Sequence, residues 1–174
     1  MRTLVLGGIR SGKSRWAEAA VADNLTAGDT VSYLATASAV VDDPAWEQRI
    51  AAHRERRPQS WRTIETADVA TQLRAEPWTP TLVDDLGNWL TAVLDRRGWG
   101  GGSIDADVSE LVAAVRSFAS PLALVSPEVG LTVVPATAAG RRFADELGAL
   151  NQQLADCCER VVLVVAGHPV WVKP

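Results

Sequence analysis

Short apolar runs alternate with longer amphipathic segments along this 174-residue chain. The apolar runs predict buried strands at residues 4–6, 30–35, 61–65, 81–84, 122–126 and 160–166, with an edge strand at 170–172. Periodicity and capping residues predict helices at residues 15–20, 42–57, 69–74, 88–97, 105–118 and 136–158. Strands that alternate with helices in this way favour an α/β fold in which a mostly parallel central sheet carries helices on both faces.

The composition is that of a globular protein, with 47% apolar and 22% charged residues. A net charge of −4 predicts neither a nucleic acid nor a membrane surface as a partner, and no apolar stretch is long enough to span a bilayer. The N-terminus lacks a secretory pattern because Gly7, Gly8 and Arg10 interrupt any apolar stretch there. We therefore expect a cytoplasmic protein in which residues 1–174 form a single domain.

The chain has two cysteines, Cys157 and Cys158, which are adjacent in a predicted helix. Neighbouring residues of a helix point in different directions, so this pair suits neither a structural disulfide nor a metal site. We interpret both as buried thiols in a reducing compartment.

The first predicted strand leads directly into a phosphate-binding sequence. Its spacing of Gly, four residues, Gly, Lys and Ser is that of a P-loop, and the loop comprises Gly7, Gly8, Ile9, Arg10, Ser11, Gly12, Lys13 and Ser14. Glycines let backbone N–H groups approach the phosphates of a nucleotide, and the following helix adds its dipole. In such a loop Lys13 reaches the β- and γ-phosphates, and the Ser14 hydroxyl binds Mg²⁺. The alternative is a glycine-rich turn between strand and helix that binds nothing.

A second nucleotide-binding signal lies where the apolar run Thr81–Asp84 ends in acid. P-loop enzymes use a carboxylate at the end of a strand to hold Mg²⁺, directly or through water. Many strands end in Asp at a turn, so the signal depends on the P-loop that precedes it. Asp84 is the expected carboxylate, because the side chain of Asp85 should turn away from the site.

One of the two histidines lies on a basic helix face. Arg49, His53 and Arg57 are spaced by four residues, which places them on one face of the predicted helix. The simplest interpretation is a solvated basic face that happens to contain a histidine. The alternative is a nucleophile that attacks phosphorus, because nearby cations lower the pKa of a histidine and the arginines attract nucleotide phosphates. The other histidine, His168, is interpreted as a turn residue.

Several spaced motifs together resemble one enzyme family. They are the P-loop text, Tyr33-Leu34-Ala35-Thr36-Ala37, Arg49-Ile50-Ala51-Ala52-His53-Arg54, Trp61-Arg62-Thr63-Ile64-Glu65, Glu128-Val129-Gly130, Gly140-Arg141-Arg142-Phe143 and Leu150-Asn151-Gln152-Gln153-Leu154. From the first strand to the last, they closely resemble the bifunctional adenosylcobinamide kinase / adenosylcobinamide-phosphate guanylyltransferase family of cobalamin biosynthesis.

The resemblance implies two reactions on one P-loop α/β domain. The γ-phosphate of ATP or GTP passes to a hydroxyl of adenosylcobinamide; a histidine then takes GMP from GTP as a phosphoramidate, and the cobinamide phosphate accepts it. The family's guanylylated histidine falls on His53, and its strand-end carboxylate falls on Asp84. The resemblance further implies nucleotide contacts from Thr36, Arg54 and Glu65, Mg²⁺ as the cofactor, and a homotrimer.

The chain departs from the family pattern near the predicted site. Where the family usually reads Asp-Cys-Leu-Thr, this chain has Asp85 and Gly87 at the Cys and Thr positions. A family Asn is Pro127 here, next to a retained Glu128 that we expect to contact a metal or the substrate. We expect the loss of the Asn and Thr side chains to alter substrate orientation or the relative rates of the two activities. The P-loop and His53 are intact, so nucleotide chemistry should be retained.

Two other functions fit parts of the sequence. A plain small-molecule kinase would use the P-loop and Asp84, while His53 would be structural. A GTP-binding switch is disfavoured because the chain has no Asn-Lys-x-Asp segment of the kind that reads guanine. Attachment of GMP to the protein distinguishes the bifunctional enzyme from the plain kinase.

Overall fold

The computed structural model describes residues 1–23, 25, 30–36 and 60–174 of the chain. The described strands are β1 (Arg2–Gly7), β2 (Ser32–Ala35), β3 (Arg62–Glu65), β4 (Thr81–Asp84), β5 (Leu122–Pro127), β6 (Arg160–Val165) and β7 (His168–Lys173). The described helices are α1 (Lys13–Ala22), α2 (Val69–Ala75), α3 (Leu86–Arg97), α4 (Asp105–Ser117) and α5 (Ala138–Cys157). Among these helices, none is both long enough and apolar enough to cross a membrane.

The strands form one sheet in the order β3-β2-β4-β5-β1-β6-β7. Neighbouring strands run parallel except for β7, which pairs antiparallel with β6. The mostly parallel sheet predicted from the alternating pattern is therefore confirmed. β1 lies between β5 and β6, so the P-loop that follows β1 emerges beside the carboxyl ends of both neighbours. Ligands of such sheets bind beyond these carboxyl ends.

Successive residues of the buried strands pack against opposite faces of the sheet. Leu4 belongs to an apolar cluster with residues of α2, α3, α4 and α5, whereas Val5 packs with Ala17 and Val21 of α1. Both faces of the sheet are thus covered, which explains why the central strands are continuous apolar runs.

The two cysteines are buried free thiols, as predicted. Burial raises the pKa of the Cys158 thiol to about 12, and the neighbouring Cys157 adds to the rise. Cys158 therefore stays protonated at neutral pH and is a poor nucleophile and a poor metal ligand.

Helix α3 begins at Leu86, two residues before the predicted start. The Asp85 side chain accepts a hydrogen bond from the backbone N–H of Asn88 at 2.8 Å and so caps this helix. The predicted end of β4 at Asp84 is therefore confirmed. Asp84 is the last residue of the strand, and Asp85 caps the helix that follows.

The edge strand is longer than predicted and includes His168. The turn before it is formed by Ala166, with a φ of 51°, and Gly167, with a φ of 83°. Both values lie in the left-handed region that tight two-residue hairpin turns use. His168, interpreted as a turn residue, is the last residue of this four-residue turn, where it pairs with Val165 and begins β7.

The amino end of β1 is held by an ion pair with the residue that precedes β6. The guanidinium of Arg2 donates hydrogen bonds to the Glu159 carboxylate and, at 2.8 Å, to the backbone carbonyl of Arg116. The hydrogen bond from Arg2 lowers the pKa of Glu159 from 4.5 to about 2. This carboxylate is therefore charged in the folded protein over nearly the whole accessible pH range.

Replacing Glu159 by Gln should lower the free energy of unfolding by about 1 kcal/mol at pH 7, a modest value because the Glu159 side chain is 48% exposed and screened by solvent. The folded-state pKa lies below the unfolded one. The pair therefore stabilises the fold above about pH 4.5, and its contribution is lost as the pH falls toward 2. Urea unfolding between pH 7 and pH 2 measures the difference. Glu110→Gln, in the exposed Arg74–Glu110 pair, is the control and should cost less than about 0.5 kcal/mol. A difference between wild type and Glu159→Gln that persists undiminished at pH 2 would contradict this account.

Candidate active site

The P-loop connects β1 to α1, and two of its positions require glycine. A Cβ added to Gly7 would lie 2.9 Å from the carbonyl oxygen of Val164, and Gly12 has a φ of 91°, which disfavours any other residue. Helix α1 begins at Lys13, so its unpaired N–H groups and its dipole face the space that the loop encloses. The local geometry is that of an anion-binding site.

The middle of the P-loop is exposed to solvent. Ile9 is 89% exposed, and Arg10 adopts a φ of 57°. The amide of Ser11 donates to the carbonyl oxygen of Gly8 at 3.2 Å, which tightens the loop. A ligand can therefore approach the loop backbone from outside, as phosphate groups do in loops of this kind.

The turn between β6 and β7 packs directly on the P-loop. The amide of Gly167 donates to the carbonyl oxygen of Ser11 at 2.7 Å. A Cβ added to Gly12 would lie 3.1 Å from the Cα of Gly167. The sequence carries no signal for this contact, because the two segments lie at opposite ends of the chain. The phosphate-binding loop is thus supported by a turn that forms only when the last strands are in place.

Asp84 faces the start of α1 from the end of β4. The Ser14 hydroxyl donates to one carboxylate oxygen of Asp84 at 3.0 Å, and the Tyr33 hydroxyl donates to the other. Sequence reasoning brought Ser14 and Asp84 together but missed Tyr33. A signal existed, since Tyr33 is the only tyrosine of the chain, lies in a buried strand, and needs an acceptor for its hydroxyl. Tyr33 orients the carboxylate that faces the P-loop.

Thr36 is buried at the end of β2, and its hydroxyl donates to the backbone carbonyl of Asp85 at 2.6 Å. This hydrogen bond holds the turn after β4, where Asp84 is placed. Desolvation raises the pKa of Asp85 to about 6, and the charge of Asp84 adds to the rise. Two interactions thus hold this turn: the Thr36 hydroxyl donates its proton to the Asp85 carbonyl, and the Asp85 side chain caps α3.

The two glutamates predicted at the site lie on opposite sides of Asp84. Glu65 ends β3, the outermost parallel strand, and is exposed. Glu128 follows β5; its amide donates to the carbonyl oxygen of Gly7 at 3.0 Å, and its carboxylate accepts from the amide of Gly130. The structure therefore places Glu128 beside the P-loop and Glu65 at the edge of the sheet.

Ser14 and Asp84 form a pair of oxygen ligands that suits Mg²⁺. Proteins usually hold Mg²⁺ with one or two side-chain oxygens, and phosphates and waters complete its octahedron. The 3.0 Å separation between the Ser14 hydroxyl and the Asp84 carboxylate lets both reach one ion. Within the described part of the chain, no cluster of three or more His, Cys, Asp and Glu side chains is arranged to hold a metal. An ion at this place would therefore rely on the phosphates of a nucleotide for its other ligands.

The predicted nucleophile His53 and its neighbour Arg54 lie outside the described residues, as do Arg49, Arg57 and the helix predicted over residues 42–57. The chain leaves the described part after Thr36, at the carboxyl end of β2. Thr36, the last described residue before that segment, lies at the same edge of the sheet as the P-loop.

Two of the departures from the family pattern contact each other. A Cβ on Gly87 would lie 2.8 Å from Cγ of the Pro127 ring, closer than Cβ atoms approach other groups in proteins. Pro127 is held in turn by the buried Asn151, whose amide donates to the Pro127 carbonyl at 3.1 Å and whose oxygen accepts from the Ser126 hydroxyl at 2.6 Å. The proline ring occupies the space that a side chain at position 87 would need, so the two departures are coupled.

We expect Gly87→Ala to destabilise the protein by about 1–3 kcal/mol, because the new methyl group overpacks a space closed by the Pro127 ring. Gly148→Ala is the matched control: nothing lies within 4 Å of a Cβ at this position of α5, so the change should be neutral or stabilise by up to about 1 kcal/mol. Urea unfolding curves measure both variants. Adding Pro127→Ala to Gly87→Ala should recover part of the loss, and strict additivity of the two changes would speak against the coupling.

Comparison with known proteins decides the family. The model of the family described as cobinamide kinase / cobinamide phosphate guanyltransferase matches residues 3–172. The chain belongs to this family. The resemblance inferred from the sequence motifs is thereby confirmed, and the P-loop site described above belongs to an enzyme of cobalamin biosynthesis.

Curated relatives match over nearly the whole chain. The bifunctional adenosylcobalamin biosynthesis protein CobP of Pseudomonas aeruginosa is 44% identical over 99% of this chain and 98% of its own length. The bifunctional adenosylcobalamin biosynthesis proteins CobU of Escherichia coli and Salmonella typhimurium are 35% and 37% identical, over 99% of this chain and 100% of each relative. The similarity is therefore not confined to the P-loop.

A solved structure supports the fold class independently. An ATPase from the type III secretion system of pathogenic bacteria matches with a TM-score of 0.57, over 93% of this chain and 50% of that chain. The sequence identity is 11%, so this likeness concerns the fold alone. Together with the sheet order, it confirms the predicted P-loop NTPase-like α/β fold.

Proposed function

We propose that this chain phosphorylates adenosylcobinamide and then transfers GMP to the resulting phosphate, giving adenosylcobinamide-GDP. The observation that carries the proposal is the Ser14–Asp84 pair beside the P-loop, in a chain of the cobinamide kinase / cobinamide phosphate guanyltransferase family. One domain, residues 1–174, carries out both reactions with one phosphate-binding loop.

In the first reaction, a hydroxyl of adenosylcobinamide attacks the γ-phosphorus of ATP or GTP, and the nucleoside diphosphate leaves. The backbone amides of the P-loop and the ammonium of Lys13 hold the phosphates and offset the charge that develops. Ser14 and Asp84 would hold Mg²⁺, which would offset the negative charge of the β- and γ-phosphates. Tyr33 keeps the Asp84 carboxylate oriented for this role, and Glu128 lies where it can contact the metal or the acceptor.

In the second reaction, the neutral imidazole of His53 attacks the α-phosphorus of GTP, and pyrophosphate leaves. The phosphate of adenosylcobinamide phosphate then attacks the same phosphorus, the nitrogen–phosphorus bond breaks, and GMP passes to the acceptor. Arg54 and the other arginines of that segment favour the neutral imidazole and attract the GTP phosphates. We assign Thr36 and Glu65 to the nucleotide of this reaction, because they lie at the carboxyl ends of β2 and β3, the strands between which the segment that carries His53 lies in the sequence.

We further propose that the enzyme assembles as a homotrimer and acts in the cytoplasm. The trimer rests on the family resemblance, and the segment after β5 offers an apolar surface for it, since Leu131, Val133 and Val134 are 79%, 86% and 74% exposed. Contiguous exposed apolar side chains are typical of a surface that a partner covers. The two buried free thiols suit a reducing compartment.

Incubation of the protein with Mg²⁺, adenosylcobinamide, ATP and GTP tests the proposal. We expect mass spectrometry to detect adenosylcobinamide phosphate first and adenosylcobinamide-GDP second, with pyrophosphate released in the second reaction. Phosphorylation without any GMP attached to the protein would identify a plain kinase in which His53 is structural. A folded protein that GTP does not label, and that phosphorylates adenosylcobinamide with neither ATP nor GTP, would contradict both functions.

A further inference from the structure

The hairpin turn, residues 165–168, has been given no contact with a substrate in the two reactions proposed above. The amide of Gly167 holds this turn against the P-loop through the 2.7 Å hydrogen bond to the carbonyl oxygen of Ser11. Its side chains are nevertheless open to solvent, since Val165 is 53% exposed and His168 is exposed. The turn therefore contacts the phosphate-binding loop through its backbone, and it presents an imidazole and an isopropyl group to solvent.

The Ser14–Asp84 pair determines which way a phosphoryl-donating nucleotide lies on the P-loop. Ser14 and Asp84, which would hold the Mg²⁺ that offsets the charge of the β- and γ-phosphates, lie on the β4 side of the loop. The γ-phosphate therefore points toward β4, and the α-phosphate and the nucleoside point away from β4. In the strand order β4-β5-β1-β6, the first element on that opposite side of the P-loop is the hairpin turn.

We infer that the hairpin turn binds the base of the nucleoside triphosphate that donates its γ-phosphate, with the His168 imidazole stacked on the purine ring. The inference rests on the proposed kinase reaction and adds the place of the base. Stacking on an aromatic face tolerates any base, because every base has a π-face. Such a surface accepts adenine and guanine, so either ATP or GTP can serve as phosphoryl donor.

The guanine of the second reaction lies elsewhere. Thr36 follows β2 and Glu65 ends β3, and these strands are separated from β6 by four and five strand-to-strand steps. At about 4.8 Å per step, the two places are roughly 19–24 Å apart. A nucleotide whose phosphates lie on the P-loop, between them, reaches one place at a time. The two reactions therefore use opposite orientations of the nucleotide on one P-loop.

Photolabelling with 8-azido-ATP locates the base without requiring turnover. The protein is irradiated with Mg²⁺ and the probe, with and without excess ATP, and digested with trypsin. The whole hairpin turn falls in the peptide 161–174, whereas Glu65 falls in the peptide 63–74 and Thr36 in the peptide 16–49. ATP-protected label in the peptide 161–174 is the expected result. Absence of protected label from this peptide overturns the inference.

His168→Ala gives the functional test, and Val170→Ala, in the same exposed strand, is the matched control. We expect His168→Ala to raise the KM for ATP in phosphorylation by about 5-fold or more with little change in kcat, and to leave formation of the GMP adduct unchanged. The control should change neither reaction, and both variants should melt as the wild type does. An unchanged KM, or an equal loss of both reactions, contradicts the inference. If the wild type performs neither reaction, the proposed function fails, while the photolabel still reports where the base of ATP binds.

Discussion

Lys13→Ala should lower the rate of adenosylcobinamide phosphorylation by about 10²- to 10³-fold, the usual effect of removing one preorganised donor to developing charge. Lys13 is the first residue of α1, so its ammonium joins the helix dipole and the loop amides at the phosphates. GMP transfer should also fall, because the same group holds the phosphates that leave as pyrophosphate. Initial rates of both reactions at saturating nucleotide measure the effect.

The chain provides a sharp control in Lys173, its only other lysine. The Lys173 ammonium donates to the backbone carbonyls of Ala155 at 3.1 Å and Cys158 at 2.6 Å, beside the amino end of β6 and so at the far edge of the sheet from the P-loop. Lys173→Ala should lower stability and leave the turnover of the folded enzyme unchanged. Phosphorylation by Lys13→Ala at more than about a tenth of the wild-type rate would contradict the role given to Lys13.

His53→Ala should abolish the GMP adduct and leave the phosphorylation of adenosylcobinamide largely intact. Alanine has no lone pair to attack the α-phosphorus, whereas γ-phosphoryl transfer depends on the P-loop and Asp84. The protein is incubated with Mg²⁺ and GTP labelled at the α-phosphate, and its intact mass and the acid lability of the label are measured. The wild type should carry one acid-labile GMP group, and His53→Ala should carry none.

His168 serves as the matched control for this experiment, because the chain has only two histidines. His168→Ala should keep the full acid-labile adduct, since the hairpin turn is assigned to the other reaction. An adduct that persists in His53→Ala would place the nucleophile elsewhere. If a folded wild-type protein binds GTP but forms no adduct, His53 is a residue of a solvated basic face and the plain kinase is favoured.

The parts of the site that are close in sequence were predictable from residue types. The P-loop needs glycines where backbone must pass close to backbone, and Gly7 and Gly12 meet that need within one strand–loop–helix unit. Asp84 ends an apolar strand, and the alternation of side chains correctly separates it from Asp85. Each of these follows from local conformational preferences.

The contacts that complete the site join distant segments and could not be predicted in the same way. The hydrogen bonds from Tyr33 to Asp84 and from Gly167 to Ser11 depend on which strands are neighbours, and no single segment encodes the strand order. The turn between β6 and β7 was predicted at His168, slightly later than it occurs, for a local reason. Ala166 adopts a left-handed conformation that Gly, Asn or Asp usually provides, so the sequence lacked the usual turn signal there.

Both strands that pair with β1 lie far later in the chain. β1 pairs with β5 on one side and β6 on the other, so neither neighbour exists until residues 122–127 and 160–165 have been synthesised. Until then the nascent chain carries an apolar strand and a P-loop without the strands that support them, and closing such long loops slows folding. Nucleotide binding by a nascent chain would accordingly report that synthesis has passed β6 and the turn that contacts the P-loop.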